Sequence, residues 1–245
     1  MIAAFIVMGM LAAVVSARPA RADETEDSLA AANAAYARHD YAAALKLLQP
    51  LAVAGNAKAQ NDLGVMYANG QGVPRDDAEA LRWYRKAAEQ GDAAAENNLG
   101  IRYESGAGVR KDAAEAARWY RKAAEQGYAA AQSNLGSMYA DGEGVLRNDA
   151  EALRWYRKAA EQGNAAAQAN LGLMYLDGQG VDEDDVEAYK WLSLAVAGGS
   201  KLAAKELDDL ETSLTPEELA DARQRAAVWR PRGAAGAPQP PAAKE

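Results

Sequence analysis

Cysteine is absent from this 245-residue chain, which excludes disulfides, thiolate metal sites and cysteine nucleophiles together. Histidine occurs once, as His39, so metal sites needing two imidazoles and serine-histidine triads within the chain are excluded as well. His39 stands in Arg38-His39-Asp40, a polar break between two helical patterns, and reads as a surface turn residue. Phe also occurs once, and no stretch alternates with period two for long enough to make a strand, so the chain belongs to the all-α class. A basic stripe is missing: Gly55 to Val181 carries 17 acidic and 15 basic residues, and Asp182 to Asp221 carries 12 acidic and 3 basic. That balance leaves nothing to neutralise phosphates, and excludes a nucleic-acid role.

Long hydrophobic runs are missing too, save one. Ile2 to Val15 is almost entirely apolar, yet its 14 residues are too few for a comfortable membrane span. It leads to small residues ending in Ala20-Arg21-Ala22, ahead of the acidic Asp23-Glu24. Residues 1–22 therefore read as a secretory signal peptide, which places the mature chain in the periplasm or outside the cell; an uncleaved anchor is the alternative. Without cysteine there is no lipid attachment to a leader of this kind.

What the chain has in abundance is repetition at a 36-residue step. Leu63/Gly64, Leu99/Gly100, Leu135/Gly136 and Leu171/Gly172 recur with that spacing, as do Tyr67, Tyr103, Tyr139 and Tyr175, and Trp83, Trp119, Trp155 and Trp191. Such a period marks a solenoid whose units each bury one face against a neighbour. Each unit holds two helical patterns. In the first, Ala59, Leu63, Tyr67 and their equivalents stand at i, i+4 and i+8 on one core-facing side. In the second, Ala80, Trp83, Tyr84, Ala87 and Ala88 form a stripe, while Arg82, Arg85, Lys86 and Glu89 fall on a solvated side where Arg85 and Glu89 can pair.

Punctuation is equally regular. Asp76, Asp112, Asn148 and Asp184 precede Glu79, Glu115, Glu151 and Glu187 by three residues, the spacing of a capping box. Gly55, Gly91, Gly127, Gly163 and Gly199 close second helices, and Asn56, Asp92, Asn164 and Ser200 are predicted to cap the helices that follow; Tyr128 is a poor cap. Between the two helices of each unit runs Gly-x-Gly-Val, at Gly70/Gly72/Val73 and its copies. These glycines follow a helix and precede no Lys-Ser or Lys-Thr, so they read as a wide loop that returns the Val to the core, not as a phosphate cradle. Asp182-Glu183-Asp184-Asp185 lacks the glycine and distal Glu of a calcium loop. The mid-helix glycines of the Leu-Gly pairs, each unfavourable by about 1 kcal/mol relative to alanine, predict close helix-to-helix approach.

Asn-Leu-Gly, then Tyr, Gly-x-Gly-Val, an Asp cap, Glu-Ala, Trp-Tyr, Lys-Ala-Ala and Glu-Gln-Gly: this unit resembles the Sel1-like repeat, a relative of the tetratricopeptide repeat with a longer internal loop. The resemblance spans roughly residues 57–207. It implies a right-handed α/α superhelical solenoid used for protein-protein interaction, often as an adaptor, with no shared catalytic residues. Some secreted, cysteine-rich relatives are linked to β-lactam binding or hydrolysis; a cysteine-free chain departs from them, and that activity is not carried over. The expected organisation is a signal peptide over 1–22, a divergent hairpin over 25–55 and four repeats over 56–91, 92–127, 128–163 and 164–199. Capping helices over 200–229 and a disordered Pro, Ala and Gly tail over 230–245 follow.

If first helices line the concave surface, the groove is made by residues opposite the core stripe. Those are Asn61, Val65 and Ala68, then Asn97, Ile101 and Glu104, then Ser133 and Ser137, then Ala169, Leu173 and Leu176. The copies disagree most here, as at Val65, Ile101, Ser137 and Leu173, and the trough is mildly apolar and amide-lined. The function expected is a monomeric, non-enzymatic adaptor that binds a protein or peptide segment without metal or cofactor. A hydrolase of cell wall or β-lactam using Asp or Glu, and a secreted effector acting on host proteins, are the alternatives.

Overall fold

The computed structural model describes residues 22–232, and they form twelve α-helices with no strand among them. A first hairpin pairs α1 (Ala22–Ala37) with α2 (Tyr41–Val53). Four helix pairs follow: α3 (Ala57–Asn69) with α4 (Asp77–Ala88), α5 (Ala93–Ser105) with α6 (Ala113–Glu125), α7 (Ala129–Asp141) with α8 (Asp149–Glu161), and α9 (Ala165–Leu176) with α10 (Asp185–Ala197). The array ends in α11 (Ala203–Ser213) and α12 (Pro216–Val228). Each helix packs chiefly on its sequence neighbours, which makes the molecule an α/α solenoid with a 36-residue step. Of the signal peptide expected over 1–22, residues 1–21 lie outside those described, and Ala22 opens α1. Residues 233–245 also lie outside them.

The core is a row of equivalent clusters. Ala116, Tyr120, Ala123, Ala131, Leu135 and Trp155 make one, and Ala152, Tyr156, Ala159, Ala167, Leu171 and Trp191 make its copy one unit on. The Leu-Gly pairs take the role their spacing predicts. A β-carbon built on Gly64 would lie 2.7 Å from Tyr84 Cδ1, and one on Gly136 2.7 Å from Tyr156 Cδ1. The tyrosine ring of the second helix thus lies flat on the glycine of the first, which gives the unfavourable helical glycine its packing reason. In the fourth unit Leu192 takes the ring's place over Gly172.

The internal loops also use backbone contact. At Gly72 φ is 74°, and an added β-carbon would meet the Tyr41 carbonyl oxygen at 2.9 Å; Gly180 repeats this against Asp149 at 2.8 Å. Each loop therefore rests on the first turn of the preceding unit's second helix, where only glycine combines that φ with that approach. Val109, Val145 and Val181 return to the core as the sequence suggests.

Four local expectations are corrected. The N-caps Asp76, Asp112, Asn148 and Asp184 each accept from the backbone N–H three residues on. Their own N–H groups, however, donate to the carbonyls of Tyr67, Tyr103, Tyr139 and Tyr175, so no reciprocal box forms and the Glu side chains turn to Arg82, Arg118, Arg154 and Lys190 instead. Arg85 does not pair with Glu89; its guanidinium donates to Tyr103 Oη at 3.0 Å, a bridge to the next unit repeated by Arg121 with Tyr139 and Arg157 with Tyr175. Ser200 caps nothing, because α11 starts three residues later at Ala203 without a side-chain cap. Finally, Arg230 to Arg232 do not trail off with the expected tail: the Arg232 N–H donates to Glu161 O at 2.7 Å, and its guanidinium reaches the Glu161 carboxylate at 2.8 Å.

Candidate functional site

The first helices α3, α5, α7 and α9 present equivalent faces, and the eleven residues named from sequence divide between interior and surface. Asn61, Ala68, Asn97, Ser133 and Ala169 are buried, so they do not line an open trough. The reason is a side-chain ladder between units. Asn98 Nδ2 donates to Asn61 Oδ1 at 2.9 Å, and Asn134 Nδ2 to Asn97 Oδ1 at 3.1 Å. Periodicity on a single helix does not reveal that the next unit covers this row.

Val65, Ser137, Leu173 and Leu176 are half-buried, and Ile101 is 39% exposed. Glu104 accepts a short hydrogen bond from Tyr120 Oη, and Ser137 accepts from Tyr156 Oη at 3.0 Å. Burial pushes both phenols up, and for Tyr120 the Glu104 carboxylate adds to the shift, so both stay protonated donors. Glu104 and Ser137 are thereby tied to Tyr120 and Tyr156, and the diagonal Val65, Ile101, Ser137, Leu173 is partly exposed, most of all at Ile101.

A second ladder runs between the helix ends. Gln90 Nε2 donates to Gln60 Oε1 and Gln162 Nε2 to Gln132 Oε1, both at 2.7 Å, while Gln60, Gln132 and Gln168 donate onward to the carbonyls of Ala52, Ala124 and Ala160. In the second unit Glu96 holds that place, 4% exposed, accepting from Gln126 Nε2 at 2.7 Å.

A partly enclosed hollow lies at the N-terminal end. It measures about 250 Å³ and is lined by Asn33 and Tyr36 of α1, Leu48 of α2, and Asp62 and Val65 of α3. Of these only Val65 was foreseen as a site residue. A signal for Asp62 was present: position 62 is Asp where the later copies carry Asn98, Asn134 and Asn170. A more open recess at the other end is lined by Glu183, Asp184, Asp185, Val186 and Glu218. Among the described residues no group of three or more His, Cys, Asp or Glu could hold a metal ion.

Among solved structures, the chain is similar to a Sel1 repeat protein from Oxalobacter formigenes, at 36% identity over 82% of each chain with a TM-score of 0.71. It is similar also to a protective antigen present in uropathogenic Escherichia coli strains displaying an SLR fold, at 35% identity and TM-score 0.70, covering 84% of this chain and 46% of that one. A Sel1 repeat protein from Klebsiella pneumoniae shares the fold at 22% identity and TM-score 0.53, over 77% of this chain and 93% of that one. Comparison with curated proteins gives no match. The family model described as Sel1 repeat matches four consecutive times, at residues 57–92, 93–128, 129–164 and 165–200. With more than half of its length so matched, and the helix pairs stacked as the repeat requires, the chain belongs to the Sel1 repeat family.

Proposed function

We propose that this chain is an exported, non-enzymatic adaptor that holds an extended protein segment along the face of α3, α5, α7 and α9. Sel1 repeat proteins are generally protein-protein interaction modules. The observation that carries the finer reading is the diagonal Val65, Ile101, Ser137, Leu173. Around it, the rows that repeat are used up by packing and by the amide ladders, while this row keeps partial exposure and differs in every copy. An apolar, partly exposed row flanked by polar ladders suits an extended segment with alternating apolar side chains. Export rests on the apolar run and small-residue ending within residues 1–22. A relative described as a protective antigen supports that placement. No helix among the described residues is long and apolar enough to cross a membrane.

Crosslinking and pull-down of the full chain from its own envelope fraction test the reading, beside Ile101→Asp and Leu173→Asp variants. Ile101 is exposed and tolerates a carboxylate in the free protein, so Ile101→Asp should keep the parent's circular dichroism melt and lose the captured partner. Leu173→Asp, at a half-buried site packed on the last core cluster, should lose the partner and lower the melt as well. Equal capture by variants and parent would remove this face as the binding surface.

A further inference from the structure

The hollow between α1, α2 and α3 differs chemically from the rest of the face. Tyr36, Leu48 and Val65 give it apolar walls, and its polar groups are Asn33 and Asp62. In the second and third units the residue at this position is an amide that donates to the unit before, as Asn98 and Asn134 do. Asp62 has no N–H to donate. Among the described residues its side chain has one hydrogen bond, a long contact from Asn61 Nδ2 at 3.4 Å, and no cation forms an ion pair with it. Burial pushes its carboxyl up against the pull of the Asn61 amide, with Asp92 adding to the rise and Lys58 opposing it least. Lys58 stands one turn earlier on the same helix, the weaker order for an i, i+4 pair, and is itself exposed. Glu26 of α1 borders the adjoining recess with Lys58 and Asp62, so the local field is net negative.

A half-buried carboxylate without a partner is unfavourable, and an incoming cation removes that penalty. The walls fix the shape of such a cation: a flexible alkyl stem covers Leu48, Val65 and the Tyr36 ring, with the charged head at Asp62 and the Asn33 amide beside it. A hollow of about 250 Å³ has room for such a side chain. We propose that the hollow between α1, α2 and α3 receives a lysine or arginine side chain of a bound protein segment, with Asp62 as its counter-charge. The inference deepens the adaptor reading, since Val65 belongs to both the hollow and the diagonal.

The test is an amide-resolved NMR titration of the full chain with the peptide Ala-Val-Lys-Val-Ala, blocked at both ends, and with the same peptide carrying norleucine in place of lysine. The lysine peptide should shift the amides of Asn33, Tyr36, Asp62 and Val65 and bind at least about tenfold more tightly than the norleucine peptide. Asp62→Asn installs the residue that the other three copies carry, so it should fold as the parent does and erase the difference between the peptides. Lys58→Ala should keep or enlarge it. Equal binding of the two peptides, shifts that bypass these four amides, no binding at all, or selectivity surviving in Asp62→Asn would each overturn the proposal. A lysine-selective hollow together with undiminished capture by Ile101→Asp would uphold this site and reject the diagonal; lost capture without lysine selectivity would do the reverse.

Discussion

Glu96 shows how much one atom matters in a repeated environment. The amides at positions 60, 132 and 168 donate to the second-helix carbonyl eight residues earlier, and those at 60 and 132 also accept from the next Gln. An ionised Glu96 can only accept, and burial pushes its carboxyl above the ordinary glutamate value against the pull of Gln126 and Lys122. Because the folded value is raised, Glu96 is least unfavourable below the unfolded glutamate pKa and becomes destabilising as pH rises through the folded one. Glu96→Gln should therefore stabilise the chain at pH 7 by about 1 kcal/mol, through a donor that can reach the Ala88 carbonyl. The gain should shrink as pH falls to 4, where the carboxyl regains a proton of its own. Thermal melts of parent and variant at the two pH values check this; a gain independent of pH would show that packing, not ionisation, sets the difference.

At the scale of the element, the second helices start with half of a capping box. Their N-cap side chains accept from the first turn, but the N-cap backbone N–H already belongs to the tyrosine carbonyl of the preceding helix. Thr215 of α12 has no such neighbour, and there the box closes with Glu218 in both directions. Asp112→Ala should accordingly cost about 1 kcal/mol, the worth of an N-cap. Glu115→Ala, which loses only an ion pair with the largely exposed Arg118, should cost about 0.5 kcal/mol or less. Urea unfolding of the two variants separates them; equal losses would mean that Glu115 does take part in the cap. Sequence spacing made the cap visible in every copy, since Asp or Asn then Glu recurs with the period. Which partner holds the other half is a matter of the neighbouring helix, and no spacing within the motif encodes it.

For the whole molecule, the question is how a one-dimensional stack stops. Lys86, Lys122 and Lys158 each lie over the tryptophan of their own helix, at 4.1, 4.1 and 4.3 Å from the ring. In the fourth unit that position is Leu194; the cation over Trp191 comes from Lys190 at 4.4 Å, and the ring also meets Trp229 edge to face at 6.1 Å. With Leu194 in place of the lysine three residues after the tryptophan, one side of the Trp191 ring is left to the returning chain. The acidic C-terminal portion is then tied down by Arg225, which bridges Glu187 and Asp221, and by Arg223 with Glu211. Trp229→Ala should destabilise the array by about 1–3 kcal/mol. Hydrogen exchange should quicken first in α9 and α10, because each unit is held mainly by its neighbours. Uniform loss of protection from α3 to α10 would instead mark the stack as a single cooperative block.

The sequence by itself determined the period, the helix pairs, the side-chain caps of the second helices, the close approach at the mid-helix glycines and the family, because every unit needs the same contacts and so writes the same residues. It also identified Val65, Ile101, Ser137 and Leu173 as places where the copies differ. Only the tertiary structure decided that Asn61, Asn97, Ser133 and Ala169 lie inside, that Glu104 holds a phenol, and that Asp62 faces a hollow. The physical reason is that period and helical face are properties of one chain segment, whereas burial at these positions is imposed by the next unit, which approaches from 36 residues away.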